Sequence, residues 1–197
     1  MIRRGFLALL LGLGVGLGVL GAAPVLAQAD PENVLVIEVA GEAKGTVEIA
    51  LRPDLAPGHV ARIKELARSG AYDGVVFHRV IEGFMAQTGD VEFGKQGGPA
   101  GRAGMGGSQL PDLKAEFSDV PFERGVVGMA RSMDPDSANS QFFIMFAPAP
   151  SLDGQYTVVG EVIAGQEVVD AIKRGAGPNG AVSEPDVMTR VHVKADG

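Results

Sequence analysis

Arg79 and Gln87 stand in an otherwise apolar stretch, VVFHRVIEGFMAQTGD, residues 75–90. Val75, Phe77, Val80 and Ile81 read as a buried strand. A strand that only filled a core would not need Arg79, and a surface strand would not need Phe84 and Met85 side by side. An apolar floor beside one or two fixed polar groups is the chemistry of recognition. Arginine presents a planar fork of five donors, and glutamine both donates and accepts.

Other reaction chemistries find no footing. The glycines of residues 16–21 spell a dinucleotide fingerprint, but inside an apolar leader, so composition explains them. Residues 106–110 begin like a nucleophile elbow, yet Leu110 stands where glycine is needed. His59, His78 and His192 are too far apart for a short-spaced metal pair. Asp134 and Asp136 open like a calcium loop, but Asn139 takes the position of the sharp glycine turn. No cofactor and no metal is expected. The chain has no cysteine, which removes thiolate, disulfide and zinc-thiolate chemistry.

The elements that must position Arg79 follow from pattern. Residues 34–40 and 45–51 are β-rich runs joined by a four-residue linker, a hairpin signal. Residues 57–69 place Val60, Ile63, Leu66 and Ala67 at helical spacing, with Pro57 in the first turn and Gly70 beyond the end. Strands are expected at 75–81, 84–87, 126–130, 141–146, 157–163 and 187–193, with a second short helix at 166–173. Residues 94–108 form a long glycine-rich loop, and such loops are usually functional. Many short strands with two helices suggest a closed β-barrel or a sandwich.

At the front, residues 1–4 are basic, residues 6–20 are an unbroken Leu, Gly, Val and Ala run, and Val25-Leu26-Ala27 offers a cleavage site. We therefore expect a signal peptide over 1–27, with a Sec route favoured over the twin-arginine route that Arg3-Arg4 resembles. A short free polar tail, 28–33, and one domain, 34–197, would follow. The whole chain carries 17 basic and 24 acidic side chains; without Arg3 and Arg4 the balance is 15 against 24, or −9. That argues against nucleic acid. A periplasmic location without lasting membrane association, and a monomer, are expected.

Two ordered blocks carry a resemblance. The first is Phe77-His78-Arg79-Val80-Ile81, Gly83-Phe84-Met85, Gln87 and Gly89-Asp90. The second runs Gly125-Val126-Val127-Gly128-Met129-Ala130, Ser140-Gln141-Phe142-Phe143-Ile144, Leu152-Asp153-Gly154 and Thr157-Val158-Val159-Gly160. In this order they resemble the cyclophilin family of peptidyl-prolyl isomerases over roughly residues 34–193. The resemblance implies a mainly β fold, a closed eight-stranded antiparallel barrel capped by two α-helices. It implies Arg79 as the catalytic residue with Gln87 beside it. Phe84, Met85, Phe143 and Leu152 would line a proline pocket. Gln141 would be a further polar group, Ala130 and Arg131 would sit where the backbone pairs with peptide, and Tyr156 would stand on the groove's side. Proline-containing polypeptides, including unfolded exported proteins, would be the partners.

Several positions depart from the family pattern. Ser151 stands where many members have tryptophan, Tyr156 where many have histidine, Arg131-Ser132 where Asn-Ala is common, and Thr88 where glycine is. The loop 94–108 has no residue-by-residue counterpart. Singly, Arg79 would read as a surface ion pair, Phe84, Met85 and Phe143 as core, and His78, facing away from Arg79, as a structural histidine. A non-catalytic proline-peptide chaperone on the same fold is the main alternative. A sugar- or lipid-binding barrel fits poorly with no Trp and two Tyr.

Overall fold

Period-two alternation decides where each strand sends its side chains. In the computed structural model, Met1 and residues 29–99 and 101–197 are described; the expected signal peptide, 1–27, lies outside the described residues apart from Met1. The strands are β1 (Val34–Ala40), β2 (Gly45–Leu51), β3 (Val75–Val76), β4 (Arg79–Ile81), β5 (Met85–Thr88), β6 (Val126–Met129), β7 (Phe142–Met145), β8 (Val158–Ala164) and β9 (Val187–Val193). The helices are α1 (Pro57–Arg68) and α2 (Gln166–Ala171). All nine strands join one antiparallel sheet in the order β3-β9-β1-β2-β8-β6-β7-β5-β4.

The strand count differs from the expected eight because one strand is split. Residues 75–81 pair first with β9, through Val75 and Val76, and then with β5, from Arg79 onward. At the break the Phe77 N–H bonds the Asp186 carbonyl and the His78 carbonyl accepts from the Val182 N–H. The two edges of the sheet, β3 and β4, are thus consecutive pieces of one chain. The sheet curls until its edges meet covalently, without a continuous ladder at the seam.

Alternation along β4, β5 and β7 builds two apolar clusters back to back. Val80, Ala86, Phe142 and Ile144 point into the main core with Ile37, Ile49 and the buried face of α1. Met85, Phe143 and Met145 point the other way, into a second cluster with Phe122, Val126 and Val158. Gly128 makes room for it: a Cβ there would lie 2.6 Å from both Phe122 and Phe143. Those two rings stack at 5.7 Å between centroids.

α1 starts without a side-chain cap from its own neighbour, Ala56. Glu116 supplies the cap from a distant loop, accepting the Gly58 and His59 N–H groups at 3.1 Å and lying 2.7 Å from His59 Nδ1. Burial raises the Glu116 pKa, but bonds from the His59 ring and the two backbone N–H groups outweigh it, and the carboxyl sits below its ordinary value. Buried Arg62 on the same helix donates to the Pro111 carbonyl at 2.8 Å. The segment before β1 corrects the expectation of a free tail. Pro31–Asn33 is a 3-10 turn, and Glu32 pairs with Lys64 and Arg68 of α1.

Candidate functional site

Register brings the polar groups together. Arg79 is opposite Gln87 across β4 and β5, and Gln87 is opposite Phe143 across β5 and β7. All three lie on the outward face, as does Met85, two residues before Gln87. Arg79 Nη1 donates to Gln87 Oε1 at 3.1 Å, and Arg79 Nε donates to the Asn179 carbonyl at 3.2 Å. The fork is therefore held from two sides. Gln87 Nε2 donates in turn to Gln141 Oε1 at 2.9 Å, and Gln141 Nε2 to the carbonyls of Gly104 and Gly106. A chain of bonds runs from the guanidinium into the glycine-rich loop.

The apolar groups complete a cavity of about 170 Å³ lined by Arg79, Phe84, Met85, Gln87, Ala130, Arg131, Phe143, Leu152 and Tyr156. Nine of the ten residues expected from sequence meet here. Met85 and Phe143 are buried and give a rigid floor; burying each is worth roughly 1.5–3 kcal/mol. Tyr156 stands edge-on to Phe143, 5.8 Å between centroids. Gln141, the tenth, instead lines a neighbouring cavity of about 230 Å³ with Gly104, Met105, Gly106, Ser137 and Asn139, among others. Gln87, Ala130 and Arg131 belong to both.

The second cavity was not read from the sequence, and its organiser is Asp90. This fully buried carboxylate accepts four backbone N–H groups: Glu92 and Phe93 on Oδ1, Gly104 and Gly106 on Oδ2, at 2.7–3.1 Å. Glycine is required where the loop meets it, since a Cβ on Gly106 would lie 2.6 Å from Asp90 Oδ1. Asn139, which stands where a calcium loop would need its glycine turn, accepts from the Ser108 N–H and hydroxyl at 2.7 and 2.6 Å.

His78 lines neither cavity but lies beneath Gly104, and neither ring nitrogen has a partner among the described residues. Burial pushes its pKa below the ordinary value, which keeps the ring neutral. Among the described residues no three His, Asp or Glu side chains are grouped to hold a metal ion. The two linings hold two arginine forks, amides, hydroxyls and apolar side chains, and no His, Asp, Glu or Lys that could act as a general base or activate a hydroxyl. Such a site can bind, desolvate and orient a carbonyl.

Comparison with known proteins agrees with that chemistry. The family model described as cyclophilin type peptidyl-prolyl cis-trans isomerase matches residues 34–193. A probable peptidyl-prolyl cis-trans isomerase of Brucella suis is 57% identical over 180 residues, 90% of each chain. Peptidyl-prolyl cis-trans isomerase B of Bacillus subtilis is 37% identical over 150 residues, 75% of this chain and 90% of its own. Among solved structures, a cyclophilin from Hirschia baltica matches with a TM-score of 0.71 at 27% identity, over 86% of this chain and 76% of its own. A Cryptosporidium parvum cyclophilin type isomerase, solved in the presence of the dipeptide Ala-Pro, matches with a TM-score of 0.70 at 23% identity, over 81% of this chain and 98% of its own.

Proposed function

The chain belongs to the cyclophilin-type peptidyl-prolyl cis-trans isomerases and is such an enzyme; on that premise we propose that the 170 Å³ cavity receives the proline ring while Arg79 stabilises the twisted amide. The observation that carries this reading is the guanidinium fixed from both sides at a cavity that Phe84, Met85, Phe143 and Leu152 help to line.

An amide resists rotation because the nitrogen lone pair is shared with the carbonyl, a barrier of about 18–20 kcal/mol. Before proline the two end states differ by only about 0.5–1 kcal/mol, so rotation is slow yet nearly balanced. No bond breaks. A catalyst must bind the twisted state better than either planar one, by about 1.4 kcal/mol for each tenfold gain. Met85, Phe143, Phe84 and Leu152 hold the ring still and exclude water. Arg79, with donors beyond those given to Gln87 and Asn179, faces the carbonyl and the nitrogen whose lone pair returns as the amide twists. Gln87 holds the fork in place, and Gln141 holds Gln87. Ala130 and Arg131 form the ledge along which the peptide backbone lies, with Tyr156 at its side.

Proline-containing polypeptides are the substrates in this reading, and unfolded exported proteins are the natural clients. The basic start, the apolar run 6–20 and the Val25-Leu26-Ala27 site support export to the periplasm. Two measurements test the proposal. NMR exchange of a short Xaa-Pro peptide should accelerate on adding the chain, with shift changes centred on Phe84, Met85 and Phe143; binding there without exchange would favour a non-catalytic chaperone. Mass spectrometry of protein from its native cell should find Gln28 first, and a product starting at Met1 would refute export with cleavage.

A further inference from the structure

Arg131 stands on the wall between the two cavities. Its guanidinium lies over the Tyr156 ring, 4.4 Å from the centroid. Nη1 and Nη2 donate to the carbonyls of Ser132 and Gln155, both at 2.9 Å. Every one of these partners is neutral. Eight other Lys and Arg side chains pair with carboxylates, whereas Arg131 makes no ion pair among the described residues. Ring and carbonyls fix its position without cancelling its charge.

The linings of the two cavities together hold Arg79 and Arg131 and no Asp or Glu. In a chain with 24 acidic against 17 basic residues this reverses the sign of the surface. The acids nearest Arg131 in sequence belong to neither lining. Asp134 accepts from the Asp136 N–H, and Asp136 from the Ala115 N–H. Asp90 lies beneath the loop with its oxygens taken by four N–H groups. A concave, like-charged groove focuses its field on whatever enters it.

We propose that Arg131 makes the enzyme selective for proline segments that carry a carboxylate side chain within two residues of the proline, received in the 230 Å³ cavity. The inference rests on the proline occupying the 170 Å³ cavity. A peptide lying along Ala130 and Arg131 passes from one cavity to the other, so a neighbouring side chain is delivered to the second. There Ser132 and Ser137 line the cavity beside Arg131, their hydroxyls bonded to each other at 2.7 Å and, from Ser137, to the Asp134 carbonyl at 2.6 Å, which leaves the guanidinium as the group that meets a carboxylate. The competing reading is that Arg131 only straps residues 131–133 to Gln155, in which case peptide charge would be irrelevant.

The test is a peptide series with one proline in an alanine background, in which Glu, Gln or Lys occupies each of the two positions before and after it. Isomerisation is followed by NMR exchange with the full mature chain. At one position at least, kcat/KM should rank Glu above Gln above Lys. Glu should exceed Gln on the order of threefold to fivefold, as for a partly exposed ion pair. The preference should fade at high salt, where the Debye length is only about 3 Å. Arg131→Gln should bring the Glu-to-Gln ratio close to one, and Arg131→Glu should place Lys above Glu. Equal turnover of the three at all four positions would overturn the inference, as would a preference that survives in Arg131→Gln. The wild-type series and its salt dependence decide the matter alone if the variants do not fold. A wild-type chain inactive even on the all-alanine peptide would instead overturn the placement of proline.

Discussion

The two cavities share a wall but are made of different material. The first is framed by β4, β5 and β7, whose register sets Arg79 against Gln87 and Gln87 against Phe143. The second is framed by loops, residues 104–106 and 132–140, held by Asp90 and Asn139. Met105, largely exposed, lines it with a deformable apolar arm. Chemistry that must hold a geometry sits on strands; selection among substrates sits on loops that can adjust. Substitutions should therefore separate the two.

The largest effect belongs to the strand-built side. Arg79→Ala should lower kcat/KM by roughly 100-fold or more, the cost of losing one preorganised donor. Its thermal stability should stay within about 0.5 kcal/mol, because the side chain is half-buried at the surface. Arg79→Lys should recover little, since the charge returns without the fork. Near-full activity in a folded Arg79→Ala chain would erase the distinction between the cavities.

Ser151, exposed beside Leu152, leaves the rim of the first cavity without the flat apolar shelf that many relatives place there. Cyclophilins are named for binding the cyclic peptide cyclosporin, and an interface tryptophan is often worth about 2 kcal/mol or more, so Ser151→Trp should tighten the binding of that peptide by roughly 30-fold. Proline turnover should change far less. An inhibitor titration against both chains checks this, and tight inhibition of the wild type would show that the shelf is dispensable.

Asp90→Asn strikes the loop-built side. It replaces an acceptor of four N–H groups with an amide that brings donors of its own, and should cost about 2 kcal/mol. Hydrogen exchange at Gly104 and Gly106 should quicken, while amides between β5 and β7 keep their protection. Loss of protection in both places would mean that the cavities are one cooperative unit.

The smallest effect concerns Glu116, remote from both. A carboxyl whose pKa is lowered by folding contributes stability that is present above its unfolded value and lost as pH falls through the folded one. For Glu116 that window lies below about pH 4.5. Glu116→Gln should reduce stability at neutral pH by about 1 kcal/mol, as for a lost helix cap, and flatten the acid limb of the stability curve. Melting curves of both chains between pH 3 and 7 test it; parallel curves would show that the cap, not the charge, matters.

Much of this was legible because strands announce themselves by alternation and the site residues fall in two ordered blocks. Arg79, Met85, Gln87 and Phe143 could be placed on one face by counting in twos. The split at Phe77-His78 could not, because alternation assigns a face to each side chain without saying which neighbour the backbone pairs with. Asp90, Glu116 and Arg62 were silent for a related reason. A carboxylate capping a helix 58 residues earlier, or a guanidinium strapping a loop 49 residues later, leaves no period in the sequence. Glu32 was misread as part of a free tail on the same account, since its partners lie on α1.

The pairing of β1 with β9 joins residues 34–40 to residues 187–193. A chain made from its N-terminus onward therefore cannot close the sheet until residues 187–193 have left the ribosome. Until then β1 and β3 lack the strand that lies between them, and the expensive loop closures have no ladder to offset them. Such a topology delays completion until β9 has been made. A nascent chain that stays open while it is being made is also one that can be threaded through a narrow translocation channel before it folds.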